Sequence, residues 1–216
     1  MLSVKGRKPA ALVVEPVARW FLRLGCKPNQ ITIASATLSV AVVVFLIPTG
    51  HLLAAAVLAG LFTAFDMIDG TMARLRRGGT RFGATLDATC DRITDGALFS
   101  AILWWEIYVR GANRWLVAAT MVVLVTSQVI SYVKARGEAS GFTMIGGLVE
   151  RPERLILALG GLGLTGLGVT YAIDAALWIL AAGSVFTVVQ RLLMAKNDPL
   201  AADGIKPPAG AADPRR

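Results

Sequence analysis

Long apolar runs separated by short polar, mostly basic segments define the chain. The first run covers about residues 31–47 and stops at Pro48-Thr49-Gly50, a turn signal; the second runs from Leu52 to Phe65. The third spans about Phe82 to Val109, the fourth Trp115 to Val133, the fifth Pro152 to Val169 and the sixth Tyr171 to Met194. Each is long enough, or nearly so, to cross a bilayer as a helix. The pattern therefore predicts an all-α polytopic membrane protein with six transmembrane helices. Ahead of them, Val13, Val17, Trp20 or Phe21, and Leu24 recur at helical spacing, while Glu15, Arg19 and Arg23 form a four-residue ladder on another face. This predicts an amphipathic helix lying in the membrane interface rather than a signal peptide.

Composition strengthens this reading. Of 216 residues, 55% are hydrophobic and only 17% charged, and the mean hydropathy is +0.62. Little chain is left for a separate soluble domain. The expected organisation is an N-terminal cytoplasmic segment over 1–27, a six-helix membrane domain over 28–196, and a disordered cytoplasmic tail over 197–216, where Pro, Ala, Gly and Asp take over. The net charge of +8 does not predict nucleic-acid binding. Its cations gather at Lys5–Lys27, Arg74–Arg81, Lys134–Arg154 and Arg191–Arg216, the positive-inside distribution of a cell-membrane protein with both ends in the cytoplasm. Trp104, Trp105, Tyr108 and Trp115 fall at the opposite ends of the spans, as an aromatic belt would. Cys26 and Cys90 have neither metal-ligand nor redox-motif spacing and read as small core residues.

Acidic residues carry the candidate chemistry. Of 14 in the chain, five (Asp66, Asp69, Asp87, Asp91 and Asp95) fall within 30 positions on the second and third membrane helices. Aspartate near the centre of a membrane helix costs about 2.5–3.5 kcal/mol on insertion scales, so these side chains should face a cavity or a metal rather than lipid. Asp66 and Asp69 are three apart and Asp87 and Asp91 four apart, so each pair shares a helix face, and the turn at 77–80 folds the two helices together. All-oxygen ligands without nearby His or Cys suit Mg2+ or Mn2+, and such closely spaced anions call for one or two divalent ions. Neutralisation by Arg74, Arg81 and Arg92 is a competing reading that accounts for the charge balance but not for the spacing. Gly70 and Ala73 leave room beside the acids for a bulky group, and Arg74 lies within reach of a phosphate.

In order and spacing, Asp66, Asp69-Gly70, Ala73-Arg74, Gly83, Asp87 and Asp91 match the signature of the CDP-alcohol phosphotransferase family. The chain is identified as resembling that family on eight fixed positions over 26 residues. Lys134-Ala135-Arg136 and Glu150-Arg151-Pro152-Glu153-Arg154 further resemble bacterial members that use inositol phosphate. The resemblance implies transfer of a phosphatidyl group from CDP-diacylglycerol to an alcohol with release of CMP, two metal ions, and a homodimer. It implies metal ligation by Asp66, Asp69, Asp87 and Asp91, with Asp91 also the base that takes the acceptor's proton. It further implies nucleotide contacts from Asn29, Gln30, Ile31 and Thr32, and from Gly70, Ala73, Arg74 and Thr80, although Asn29 or Thr32 can also be read as a helix cap.

For the acceptor, Lys134, Arg136, Arg151, Arg154 and Arg191 converge at cytoplasmic depth, which favours an anionic substrate and disfavours choline or ethanolamine. Inositol 1-phosphate is the expected acceptor, its phosphate held chiefly by Lys134, Arg154 and Arg191. These cations can also be read as helix anchors in the headgroup layer. Glycerol 3-phosphate is the alternative acceptor. Outside enzymes, cation transport through the intramembrane aspartates is the alternative function.

Overall fold

The computed structural model describes residues 7–204 other than Arg77, with the side chains of residues 7–13 and of Asp66 outside the described set. Among the described residues it is entirely helical. The elements are α1 (Arg7–Arg23), α2 (Pro28–Leu46), α3 (Leu52–Leu75), α4 (Arg81–Trp105), α5 (Arg114–Ala139), α6 (Arg151–Gly166) and α7 (Ala172–Lys196), with a π-helical turn at Glu106–Arg110 extending α4. α2 packs on α3 and α4, α5 on α4 and α7, and α6 on α3 and α7.

Four helices, α2, α3, α5 and α7, are long and apolar enough to cross a membrane. α4 is of similar length, but Asp87, Asp91, Arg92 and Asp95 interrupt its apolar character. α6 has 16 residues and so extends only about 24 Å. The bundle is dressed for lipid: Phe45, Val57 and Ile156 are exposed, while Ser35, Ser39, Thr120, Ser127, Ser184 and Thr187 are buried. Small and hydroxylated residues face inward because they let helix backbones approach closely. At Gly166 that approach is extreme, since a Cβ there would collide with the backbone of Leu53.

The main core joins six helices, α2 to α7, through residues such as Val43, Ala55, Phe99, Val123, Leu162 and Leu177. A smaller cluster ties Ala18 of α1 to Ile68 and Met72 of α3, with Val14 and Phe21 packed against it. α1 thus braces the helix that carries Asp66 and Asp69, and its Glu15–Arg19 ladder forms an ion pair of 2.6 Å. Val17, Trp20 and Leu24 stay exposed. Of the predicted aromatic belt, Trp104, Tyr108 and Trp115 are exposed but Trp105 is buried. Its indole turns inward under the Arg110 guanidinium, 5.5 Å from the ring centre, and Arg110 is held by Asp174 of α7.

α3 continues beyond its apolar stretch, through Asp66 and Asp69 to Leu75, so both acids lie on this helix. At the C-terminal end, Asp198 accepts from the backbone N–H of Thr143 at 3.3 Å, drawing the residues after α7 onto the α5–α6 connection. Residues 205–216 of the expected tail lie outside the described residues.

Candidate active site

A cavity of about 480 Å³ opens where the N-terminus of α2, the C-terminal end of α3 and the start of α4 meet. Asp69, Gly70 and Ala73 line it from α3, Thr80, Gly83, Ala84 and Asp87 from the turn and α4, and Asn29 and Thr32 from α2. The two halves of the sequence signature thus share one wall-to-wall space. The local reason is the tight α3–α4 turn, closed by Thr80, whose hydroxyl accepts the backbone N–H of Gly83 at 2.9 Å and caps α4. A side chain at Gly83 would press on Thr80 Oγ1 at 3.1 Å and Asn29 Oδ1 at 3.2 Å. Glycine there keeps both polar groups at the cavity wall.

Asp69 is nearly buried and is fixed by a short hydrogen bond from the Thr32 hydroxyl. Asp87 lines the same space one helix away. Carboxylate oxygens with a hydroxyl behind them, and no His or Cys in the wall, form a hard donor set that fits Mg2+ or Mn2+. Among the described residues no group of three acidic, His or Cys side chains converges on one point. The predicted ligand Asp66 lies outside the described side chains, although its backbone belongs to α3.

The other predicted nucleotide contacts divide. Gln30 and Ile31 do not line the cavity. Gln30 accepts the Lys27 backbone N–H at 2.9 Å and so caps α2, and Ile31 packs with the Ala18–Met72 cluster. Arg74 donates to Thr71 Oγ1 at 2.8 Å and is absent from the cavity wall, where Lys27 and Arg76 stand instead. Neither of these cations is singled out by the sequence, because a basic residue at a helix end is indistinguishable there from a topological anchor.

One turn beyond Asp87, Asp91 belongs to a second, narrow cleft with Ser35, Ser39, Thr63, Thr94 and Arg151, about the size of a single water molecule. Arg151 Nη1 sits 2.7 Å from Asp91 Oδ1. Arg92 Nη2 lies 3.8 Å from both Asp91 Oδ2 and Asp95 Oδ2. Of the arginines in the neutralisation reading, Arg92 therefore does face the acids, whereas Arg74 turns to Thr71. Arg154 is fully buried and bonded to the equally buried Asp95.

The remaining predicted cations are Arg191, Lys134 and Arg136. Arg191 is buried on α7 and donates to the Ile130 carbonyl at 2.6 Å and to Glu150 Oε1 at 3.1 Å. Glu150 thus orients Arg191 across the bundle and gives α6 no side-chain cap. Lys134, 44% exposed, is 4.0 Å from Glu138, and Arg136 is exposed. Arg154 Nε and Nη1 and Arg191 Nε are buried donors with no partner among the described residues. Buried nitrogens left in this way favour an incoming oxyanion.

The chain is similar to known proteins over nearly its whole length. The phosphatidylinositol phosphate synthase of Corynebacterium glutamicum is 69% identical over 211 residues, covering 98% of this chain and 96% of the relative. That of Mycobacteroides abscessus is 48% identical over 204 residues, with 94% and 92% covered. The crystal structure of the Mycobacterium tuberculosis phosphatidylinositol phosphate synthase with CDP-DAG bound superposes with a TM-score of 0.87 at 50% identity, covering 91% of this chain and all of that one. The same enzyme in complex with manganese and citrate gives 0.85 at 50% identity, covering 89% and 93%. Together with a CDP-alcohol phosphatidyltransferase family profile that matches residues 26–189, these likenesses establish that the chain belongs to the CDP-alcohol phosphatidyltransferase family.

Proposed function

We propose that this protein transfers the phosphatidyl group of CDP-diacylglycerol to inositol 1-phosphate, giving phosphatidylinositol phosphate and CMP. The observation that carries the reading is the succession along α4 of a nucleotide-sized acidic cavity at Asp87, the carboxylate Asp91, and the buried arginine cluster at Asp95. Donor, base and acceptor charge follow one another along a single helix. The names of the relatives, and the CDP-DAG and manganese bound to one of them, support the same chemistry.

In this reading Asp66, Asp69 and Asp87, with Asp91, hold two divalent ions, Mg2+ or Mn2+. Bound there, they neutralise the diphosphate and the departing CMP. Thr32 fixes the Asp69 carboxylate. Lys27 and Arg76 offer cations to the donor's phosphates, while Asn29 and the capping Thr80 border the nucleotide. The acceptor phosphate is drawn to Lys134, Arg151, Arg154 and Arg191, and its hydroxyl is presented to Asp91. An Asp91 carboxylate oxygen takes the hydroxyl proton as the new oxygen–phosphorus bond forms and the bond to CMP breaks. The three-apart Arg151 and Arg154 select for a phosphorylated alcohol.

The setting proposed is the cell membrane. Six helices, α2 to α7, cross it, α1 lies in the interface, both termini and the catalytic cavity face the cytoplasm, and the protein works as a homodimer. The lipid tails of the donor stay among the exposed apolar helix faces. The test is CMP release by purified protein with CDP-diacylglycerol and Mg2+ or Mn2+, comparing inositol 1-phosphate, free inositol and glycerol 3-phosphate. Turnover confined to inositol 1-phosphate is expected. Preference for glycerol 3-phosphate would reassign the acceptor, and metal-independent behaviour without CMP would refute the reaction.

A further inference from the structure

Asp95 stands outside the family signature, yet among the described acids of the site it is the most completely enclosed. Its exposure is 0%, equal to that of Arg154, to which it is directly bonded. The same carboxylate faces two more guanidinium groups: Arg92 Nη2 at 3.8 Å from Oδ2 and Arg151 Nε at 3.7 Å from Oδ1. Two of these three arginines also face Asp91, Arg151 at 2.7 Å and Arg92 at 3.8 Å. In this set three cations surround two anions. An aspartate without exposure is retained in a membrane helix only where strong pairing offsets its desolvation.

We propose that Asp95 is a positioning residue for acceptor selection. Resting on the function proposed above, the idea is that one buried carboxylate holds Arg154 and Arg151 apart and aimed, so that a phosphorylated alcohol meets preset cations. Three features carry it. Arg154 spends one terminal nitrogen on Asp95 and keeps Nε and Nη1 as buried donors without a partner among the described residues. Guanidinium planes bind phosphate through paired N–H groups, so fixing one nitrogen orients the rest of the fork. Arg151 stands between Asp95 and Asp91, and Asp95 draws Nε while Asp91 holds Nη1. Without the charge at 95, Arg151 loses the carboxylate that faces its Nε while Asp91 still holds Nη1, and both the phosphate fork and the base lose their setting. The donor cavity is built from other residues, since neither Asp95 nor any of the three arginines lines it.

The experiment is steady-state CMP release by the full-length wild type and by Asp95→Asn and Asp95→Glu, in the same detergent or nanodiscs. Inositol 1-phosphate and CDP-diacylglycerol are varied separately, with free inositol as a second acceptor. For Asp95→Asn the expected result is a KM for inositol 1-phosphate raised about tenfold or more, and a KM for CDP-diacylglycerol within about twofold of wild type. The kcat/KM ratio of inositol 1-phosphate over free inositol should fall by a similar factor. A merely structural role would lower activity without changing that ratio. Asp95→Glu keeps the charge one methylene away and should recover part of the acceptor KM; if Asp95→Asn does not fold, Asp95→Glu carries the test through the same split. An unchanged acceptor KM and ratio in the folded variants would overturn the proposal while leaving the reaction intact. Equal loss toward both substrates would overturn it too. Absence of CMP formation by the wild type with any acceptor would overturn the proposed function and this inference with it.

Discussion

Thr32→Val isolates the link between α2 and Asp69, one of the acids proposed to bind metal. The Thr32 hydroxyl has one proton and two acceptors within reach, the Pro28 carbonyl at 3.2 Å and the Asp69 carboxylate. The ionised acceptor wins that competition, and the carbonyl is no substitute partner for Asp69. Valine replaces the hydroxyl by a methyl of the same size, so packing changes little and helix propensity hardly at all. What is lost is a hydrogen bond to a charged group that is only 6% exposed, so solvent offers little compensation. Bonds of that kind are worth about 1.5–3 kcal/mol, and partners behind a metal ligand typically change metal affinity or activity by about 10–100-fold. CMP release titrated with Mn2+ or Mg2+ should show half-saturation shifted upward by that range, with Thr32→Ser close to wild type. A raised KM for CDP-diacylglycerol at unchanged metal dependence would make Thr32 a nucleotide contact instead. Normal values for both would refute the supporting role altogether.

Asp91→Asn should keep the fold and CDP-diacylglycerol binding while lowering kcat by at least about 100-fold, the lower end of what a positioned base contributes; near-normal kcat would remove Asp91 from the proton-accepting role. Lys134→Ala should raise the acceptor KM several-fold with the melting temperature nearly unchanged, because its pairing with Glu138 is long and exposed, and an unaltered KM would place the phosphate elsewhere. Gly166→Leu should destabilise the bundle by several kcal/mol, since even a Cβ meets the Leu53 backbone; a melting temperature equal to wild type would show that α3 and α6 do not touch there.

Features encoded within one helix or one turn were legible in the sequence. Asp66-Asp69 and Asp87-Asp91 follow helical spacing, and the short glycine turn leaves the second pair no choice but to return beside the first. Asp69 and Asp87 accordingly share a cavity wall. The ladder continuing to Asp95 was visible as well, but its purpose was not, because its partner Arg154 lies 59 positions away and only bundle packing brings the two together. Arg191 and Glu150, 41 positions apart, are the same case. Lys27 and Arg76 were hidden differently: a positive charge at a helix end satisfies the topology rule whether or not it also lines a pocket. Trp105 shows the limit of composition, since belt and core positions alternate within one helical turn and, of the adjacent pair, Trp104 faces outward and Trp105 inward.

In the proposed reaction, α4 acts as a ruler. Asp87, Asp91 and Asp95 are four residues apart, which sets successive carboxylates about 6 Å apart along the axis. The first belongs to the donor cavity, the second pairs with Arg151, and the third anchors Arg154. A substrate bridging that interval must be small, must carry its negative charge on the side away from the attacking hydroxyl, and must reach Asp91 without entering the nucleotide space. A phosphorylated polyol satisfies all three demands, whereas a cationic amino alcohol would oppose the arginines and approach the acids from the wrong end. Under the proposed function, selection of the acceptor and activation of its hydroxyl are therefore one geometric problem, because Arg151 faces both Asp91 and Asp95. A substitution that frees Arg151 from either carboxylate should alter which alcohol is used and how fast it reacts together.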